Sequence, residues 1–287
     1  MNLLMGFHPP NGARMSGSSK FAVDGFTTIP ALFEEPDLQE IEKQVHHRLA
    51  QPHDPMMNRV GNDLVPLRWN DPIVTRLLCR TSVLGRIRST VAADDLRWIS
   101  AYISSKGAST PALLWHQDWW CWDHSISFAP TAPQIAILCY LSDTSDRTGA
   151  LRVLPGSHLR SLPIHSDLPE PHSAAAEQLA PDHPALSNHE GQITLNLRRG
   201  DAVAVDYRLL HGTHPNRSLS RRDALLFSFT PNWRFLPDSI RAHLAMHPAL
   251  PSAAEWPTIA EWGEDLFPRY DGTPTSLQIN RIAPSRT

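Results

Sequence analysis

Leu96-Arg97-Trp98-Ile99-Ser100-Ala101-Tyr102-Ile103-Ser104-Ser105 alternates in character at every residue. Trp98, Ser100, Tyr102 and Ser104 fall on one face, and Ile99, Ala101 and Ile103 on the other, the period of two that marks a strand. Downstream, residues 134–142 repeat the pattern, setting Gln134, Ala136 and Tyr140 against Ile135, Ile137, Cys139 and Leu141. Shorter runs at 150–154, 192–197, 202–207 and 223–230 extend the series, punctuated by turns at Pro155-Gly156 and Arg199-Gly200-Asp201. Strands in series, with 26 prolines in the chain, predict a mainly β jelly roll or barrel whose flanking helices cover one sheet.

Those helices lie toward the two ends. Leu38, Ile41, Val45 and Leu49 form an apolar stripe at helical spacing. Asp71-Pro72 is a cap followed by a first-turn proline, and its stripe runs through Val74, Leu77 and Leu78 toward Leu84, Ile87 and Val91. After Pro231 the chain returns to helix at 239–245 and near Ile259. The organisation expected is a disordered leader at 1–20 and one domain at 21–287. Within that domain the jelly-roll core spans about 96–232, a polar excursion 160–191, and a helical extension 235–287. A net charge of −3 carries no footprint for nucleic acid or an anionic membrane. Three cysteines without paired spacing argue for a reducing cytoplasm, and no apolar run is long enough to span a bilayer.

Chemistry concentrates at Trp115-His116-Gln117-Asp118-Trp119. On an extended strand His116 and Asp118 point the same way and can reach one ion. His211, at the end of the strand-like run 202–210 and followed by Gly212, is the third candidate. Two imidazoles and one carboxylate leave three coordination positions open, which suits iron(II) taking a chelating co-substrate and dioxygen. A His-x-Asp triplet alone equally describes a hydrogen-bonded pair at a strand end. Arg222, eleven residues beyond His211, adds weight. It opens the next strand in phase with the small residues Ala224 and Ser228, while Leu225, Phe227 and Phe229 face the other way. Its planar fork fits a carboxylate such as the distal end of 2-oxoglutarate, although a surface salt bridge would use the same residue. Tyr102 and Gln134 are cofactor-pocket candidates from phase.

The chain resembles the phytanoyl-CoA dioxygenase family of iron(II)/2-oxoglutarate oxygenases. Phe21-Ala22-Val23-Asp24-Gly25-Phe26-Thr27-Thr28-Ile29-Pro30 resembles its N-terminal strand motif, and Gly149-Ala150-Leu151-Arg152-Val153-Leu154-Pro155-Gly156-Ser157-His158 its central hallmark. Gly200-Asp201, His211-Gly212 and Pro215-Asn216 resemble the distal motif. The resemblance implies a double-stranded β-helix, with His116, Asp118 and His211 on iron and Arg222 on 2-oxoglutarate. It also implies that Thr213 assists that carboxylate and that Gln117 lies near the iron, although strict alternation points Gln117 away. His158 reads as a structural turn residue. Related halogenases carry a small residue where Asp118 stands, so an oxygenase outcome is preferred.

Four tryptophans, Trp115, Trp119, Trp120 and Trp122, crowd the metal motif. Trp119, Trp120 and Trp122 are candidates for a substrate wall, while core filling explains the same residues. Nothing resembles a coenzyme A site, so the substrate expected is a small molecule of secondary or amino-acid metabolism. Two other readings use the same fold: a jelly roll that binds a ligand or metal without turnover, and a zinc hydrolase on the same three ligands. The second lacks a carboxylate placed as general base.

Overall fold

The computed structural model describes residues 17–52, 60–262 and 264–284. From the N-terminus come α1 (Gly17–Asp24), β1 (Phe26–Ile29), α2 (Glu35–Leu49), β2 (Asn62–Leu67), α3 (Pro72–Leu78) and α4 (Thr81–Val91). The strands β3 (Arg97–Lys106), β4 (Leu113–His116), β5 (Ile135–Tyr140) and β6 (Leu151–Val153) follow, then the one-turn helix α5 (Ala174–Glu177). Next are β7 (Ile193–Thr194), β8 (Ala202–Asp206), β9 (His211–Thr213), β10 (Arg222–Thr230) and α6 (Asp238–Leu244).

The strands form two sheets, a larger one in the order β1-β8-β5-β10-β3-β2 and a smaller one in the order β4-β9-β6-β7. Every strand pairing is antiparallel, and the architecture is the expected double-stranded β-helix. One face of the larger sheet, with Leu225, Phe227 and Phe229 of β10, packs on Ile41 and Val45 of α2, Leu77 of α3 and Ile87 of α4. The other face meets the smaller sheet through Ala136, Tyr140, Leu151, Val153 and Val205. This second layer forms the floor of the site.

Local chemistry accounts for the helices. Asp71 caps α3 by accepting from the Ile73 amide at 3.0 Å, with Pro72 in the first turn. The stripe expected to run on from 72 divides into two helices, because Arg80 is extended between Cys79 and Thr81. Asp37 of α2 receives Arg76 at 3.2 Å and Arg80 at 2.7 Å, which fixes that break against the neighbouring helix.

Several boundaries differ from the sequence reading. Residues 1–16 of the expected leader lie outside the described residues, and Gly17–Asp24 is helix, so only Phe26–Ile29 of the N-terminal motif is strand. Strand β2 escaped notice because it contains Pro66, and it lies at a sheet edge, where proline is tolerated. Of 192–197 only Ile193–Thr194 pairs, while Leu195 and Leu197 fill the inter-sheet core. Ser228 pairs with Ser100 but Phe229 pairs with Trp98, so Ile99 is the extra residue of a bulge. Trp98 is thereby turned to the helix side, against Phe267 at 5.9 Å, and Ile99 to the Trp119 cluster, the reverse of strict alternation. The segment 160–191 carries α5 and two 3-10 turns, Pro163–Asp167 and Pro184–Leu186. Among the described residues beyond α6, the helical structure is confined to the 3-10 turns Trp256–Trp262 and Glu264–Leu266. Among the described residues no helix is long and apolar enough to cross a membrane.

Candidate active site

His116 ends β4 and His211 begins β9, and the two are direct partners across the smaller sheet. Their rings lie 4.3 Å apart. Asp118, two residues past His116, brings its carboxylate to 3.6 Å from His116 Nε2 and 3.5 Å from His211 Nε2. One ligand atom from each of the three residues falls within 4.8 Å of the other two, close enough to share one metal ion. Each imidazole is aimed the same way: His116 Nδ1 lies 2.9 Å from the Leu114 carbonyl and His211 Nδ1 3.0 Å from the Leu209 carbonyl. A proton on Nδ1 satisfies those carbonyls and leaves the Nε2 lone pair for a metal.

Gly212 makes the pairing possible. A Cβ there would stand 2.8 Å from the Leu113 carbonyl oxygen and 2.9 Å from that of Leu114. The glycine is needed for close approach of β9 to β4.

Between the sheets a cavity runs from this cluster to Arg222, with Thr213, Tyr140, Asn62 and Ser104 in its wall. Arg222 is buried, 5.3 Å above the Tyr140 ring, with one long contact of 3.5 Å to Asn62 Oδ1. Its Nε and the Tyr140 hydroxyl are both buried without a partner. Burial pulls the Arg222 pKa down and pushes the Tyr140 pKa up. An unpaired buried guanidinium costs several kcal/mol unless an anion joins it, and a phenol beside it adds a donor. A two-histidine, one-carboxylate cluster at one end and an unsatisfied cation at the other fit iron(II) and the two ends of 2-oxoglutarate. Tyr140, Asn62 and Ser104 were not singled out from sequence. The signals were the in-phase positions of Tyr140 with Gln134 and of Ser104 with Tyr102.

Other expected site residues lie elsewhere. Gln117, just past the end of β4, donates its side-chain amide to the Arg208 carbonyl and lines neither this cavity nor the one beside it. Tyr102 and Gln134 belong to a neighbouring cavity of about 560 Å³ that opens on Asp118, so they are not in the Arg222 cavity. There Gln134 accepts from Trp120 Nε1 at 2.9 Å and donates to Ser228 Oγ at 2.7 Å. Trp120 faces that cavity and stacks on His243 at 4.4 Å. Trp119 and Trp122 do not reach it; both are buried in the cluster around Ile240 and Leu244, and Trp119 donates to Ser127 Oγ. Trp115 is also core, under Arg152 at 4.5 Å. His158 sits against the Ala22 carbonyl at 3.2 Å, away from the metal cluster.

An antiparallel double-stranded β-helix with two imidazoles and a carboxylate at one mouth has the frame of a non-haem metal oxygenase. Known proteins agree. The chain is 25% identical over 229 residues to an L-proline trans-4-hydroxylase of Streptomyces griseoviridis, covering 73% of this chain and 84% of that protein. It is 21% identical to an ectoine dioxygenase of Sphingopyxis alaskensis, covering 72% of each. HygX from Streptomyces hygroscopicus, solved with nickel, 2-oxoglutarate and hygromycin B, shares the fold. Its TM-score is 0.57 at 22% identity, over 74% of this chain and 84% of that one. The epimerase SnoN from nogalamycin biosynthesis also shares the fold, with a TM-score of 0.55 at 16% identity, over 74% and 80%. The model of the phytanoyl-CoA dioxygenase (PhyH) family matches residues 21–224, and the chain belongs to that family. It is a 2-oxoglutarate-dependent non-haem iron dioxygenase.

Proposed function

We propose that the chain hydroxylates an unactivated C–H bond of a small amino-acid-like or secondary-metabolite molecule. The substrate, 2-oxoglutarate and dioxygen would become the alcohol, succinate and carbon dioxide, one oxygen atom entering each of the first two products. In this reading His116, Asp118 and His211 hold the iron, Arg222 and Tyr140 take the distal carboxylate of 2-oxoglutarate, and Thr213 lines its path. The observation that carries it is a buried Arg222 and a buried Tyr140 hydroxyl with unpartnered donors, in the cavity that ends at the histidine–aspartate cluster. When bound, the iron supplies the activation of dioxygen, coupled to decarboxylation of the co-substrate.

The chain's own work is positioning. The backbone carbonyls of Leu114 and Leu209 hold the imidazole protons, so both rings present a lone pair in fixed orientation. The inter-sheet core of Leu151, Val153 and Val205 excludes water from the co-substrate. The cavity of about 560 Å³ beside Asp118 admits the substrate from the other side, so it is oriented independently of 2-oxoglutarate. Asp118 keeps the coordination position that chloride would need, which supports oxygen rather than halogen transfer.

Iron(II) and 2-oxoglutarate added without oxygen are expected to give a weak visible charge-transfer band, lost in Asp118→Ala. In Arg222→Gln the 2-oxoglutarate affinity should fall roughly tenfold to a hundredfold while iron affinity holds. A flat spectrum from the wild-type protein would overturn the site assignment and favour a metal site without oxygen chemistry.

A further inference from the structure

The C-terminal segment beyond α6 returns to the cavity beside Asp118, with Ser276, Ile279 and Arg281 in its wall. Asn280 forms a bridge with Cys121, donates its amide to the Trp120 carbonyl at 2.9 Å and accepts from the Trp122 amide at 3.1 Å. Its side chain donates to Asp123 at 2.7 Å, and the Leu277 amide donates to His243 Nδ1 at 3.0 Å. The strap is therefore pinned just before Arg281, whose Nη1 donates to the Asp118 main-chain carbonyl at 3.3 Å.

Arg281 is half-buried and is the sole Arg or Lys in the wall of that cavity among the described residues. It has no carboxylate partner among them. Burial holds the His243 imidazole below its usual range, and burial with His243 holds His247 down to about 4, so neither supplies a competing positive charge at neutral pH. A fork-shaped cation on the backbone of Asp118 would hold a carboxylate within a few bonds of the metal cluster, which limits the substrate to a small molecule. The same wall contains Glu177, exposed on α5, and the ring of Trp120. One guanidinium, an exposed carboxylate away from the metal cluster and an aromatic face suit the two charges and short apolar body of a zwitterion.

We infer that the substrate is a small α-amino or imino acid, its carboxylate anchored by Arg281 of the C-terminal strap and its ammonium turned toward Glu177. This rests on the oxygenase reading of the metal cluster. The test uses the full chain with iron(II) and 2-oxoglutarate under anaerobic conditions, and the twenty proteinogenic L-amino acids against their α-amides, starting with L-proline and L-prolinamide. Formation of the charge-transfer band reports the metal and co-substrate reading. A shift of that band on adding an amino acid, and succinate release in air, report the inference.

At least one acid is expected to shift the band and be turned over, with its amide weaker by roughly tenfold to a hundredfold in kcat/KM. In Arg281→Gln the loss should fall mainly on KM, the acid-to-amide preference should collapse toward one, and Arg281→Lys should recover part of it. A strap that merely supports the fold would lower acid and amide equally. An unchanged preference in Arg281→Gln, amides bound as well as acids, or a band that no acid perturbs would each overturn the inference and leave the metal reading standing. Absence of the band takes both down.

Discussion

Arg222, which makes no ion pair among the described residues, keeps unusual company. Lys106 is its direct partner across β3 and β10 and is fully buried, with Nζ donating to the Pro111 carbonyl at 2.6 Å. Burial, then the positive charges of Arg222 on β10 and Arg152 on β6, bring the Lys106 pKa down to about 7. Below that pH the ammonium is charged and adds to the attraction for an anion beside Arg222; above it the amine is neutral and adds nothing. Affinity for 2-oxoglutarate should therefore weaken as pH rises through about 7, by up to roughly tenfold between about pH 6 and pH 8.5. Titration of the charge-transfer band at each pH measures it, and Lys106→Met should flatten the profile. A wild-type affinity independent of pH over that range would remove Lys106 from the electrostatics of the site. Arg222 was legible in the sequence because its phase with Ala224 and Ser228 is local to one strand. Tyr140 and Lys106 were not, because their roles arise from pairing with a strand 80 or more residues away.

At the scale of elements, β4 and β9 are the short strands that gather the metal cluster, and their closeness depends on Gly212. Gly212→Ala would place a methyl about 0.5 Å inside normal contact with two carbonyl oxygens that belong to backbone and cannot rotate aside. Overpacking of this kind costs about 1–3 kcal/mol, and the strands can relieve it only by parting. The expected result is a modest loss of stability in urea unfolding but a much larger loss of iron affinity, since both imidazoles ride on the separating strands. Wild-type iron affinity in that variant would show that the pair tolerates separation. The bulge at Ile99 teaches the same lesson. Alternation placed Ser100 and Tyr102 on one face, and both line the cavity beside Asp118, yet one inserted residue exchanged Trp98 and Ile99 between cores.

Across the whole molecule, the larger sheet contributes the Arg222 cation and the smaller sheet the two imidazoles, with Asp118 just past β4, and the buried Asp206–Arg208 pair ties the end of β8 to the turn at Ser127 and Ala129. A ligand bridging both sheets should stabilise their association. With iron(II) in place under anaerobic conditions and 2-oxoglutarate at a hundredfold its Kd, the unfolding free energy is expected to rise by about 2.7 kcal/mol. In Arg222→Gln, at the same 2-oxoglutarate concentration, a tenfold to hundredfold weaker affinity leaves about 0.4–1.4 kcal/mol of that increment, as urea unfolding would register. The amino-acid sequence by itself determined the roll of strands, the helices on one side, and the candidates His116, Asp118, His211 and Arg222, because strand period and short spacings are properties of neighbours along the chain. Only the tertiary structure decided that Tyr140 faces Arg222, that Gln117 turns away, that Trp120 alone of its three candidate tryptophans reaches the substrate cavity, and that Arg281 returns beside Asp118. Those contacts depend on strand register, a bulge and the path of a distant strap, and no local periodicity encodes them.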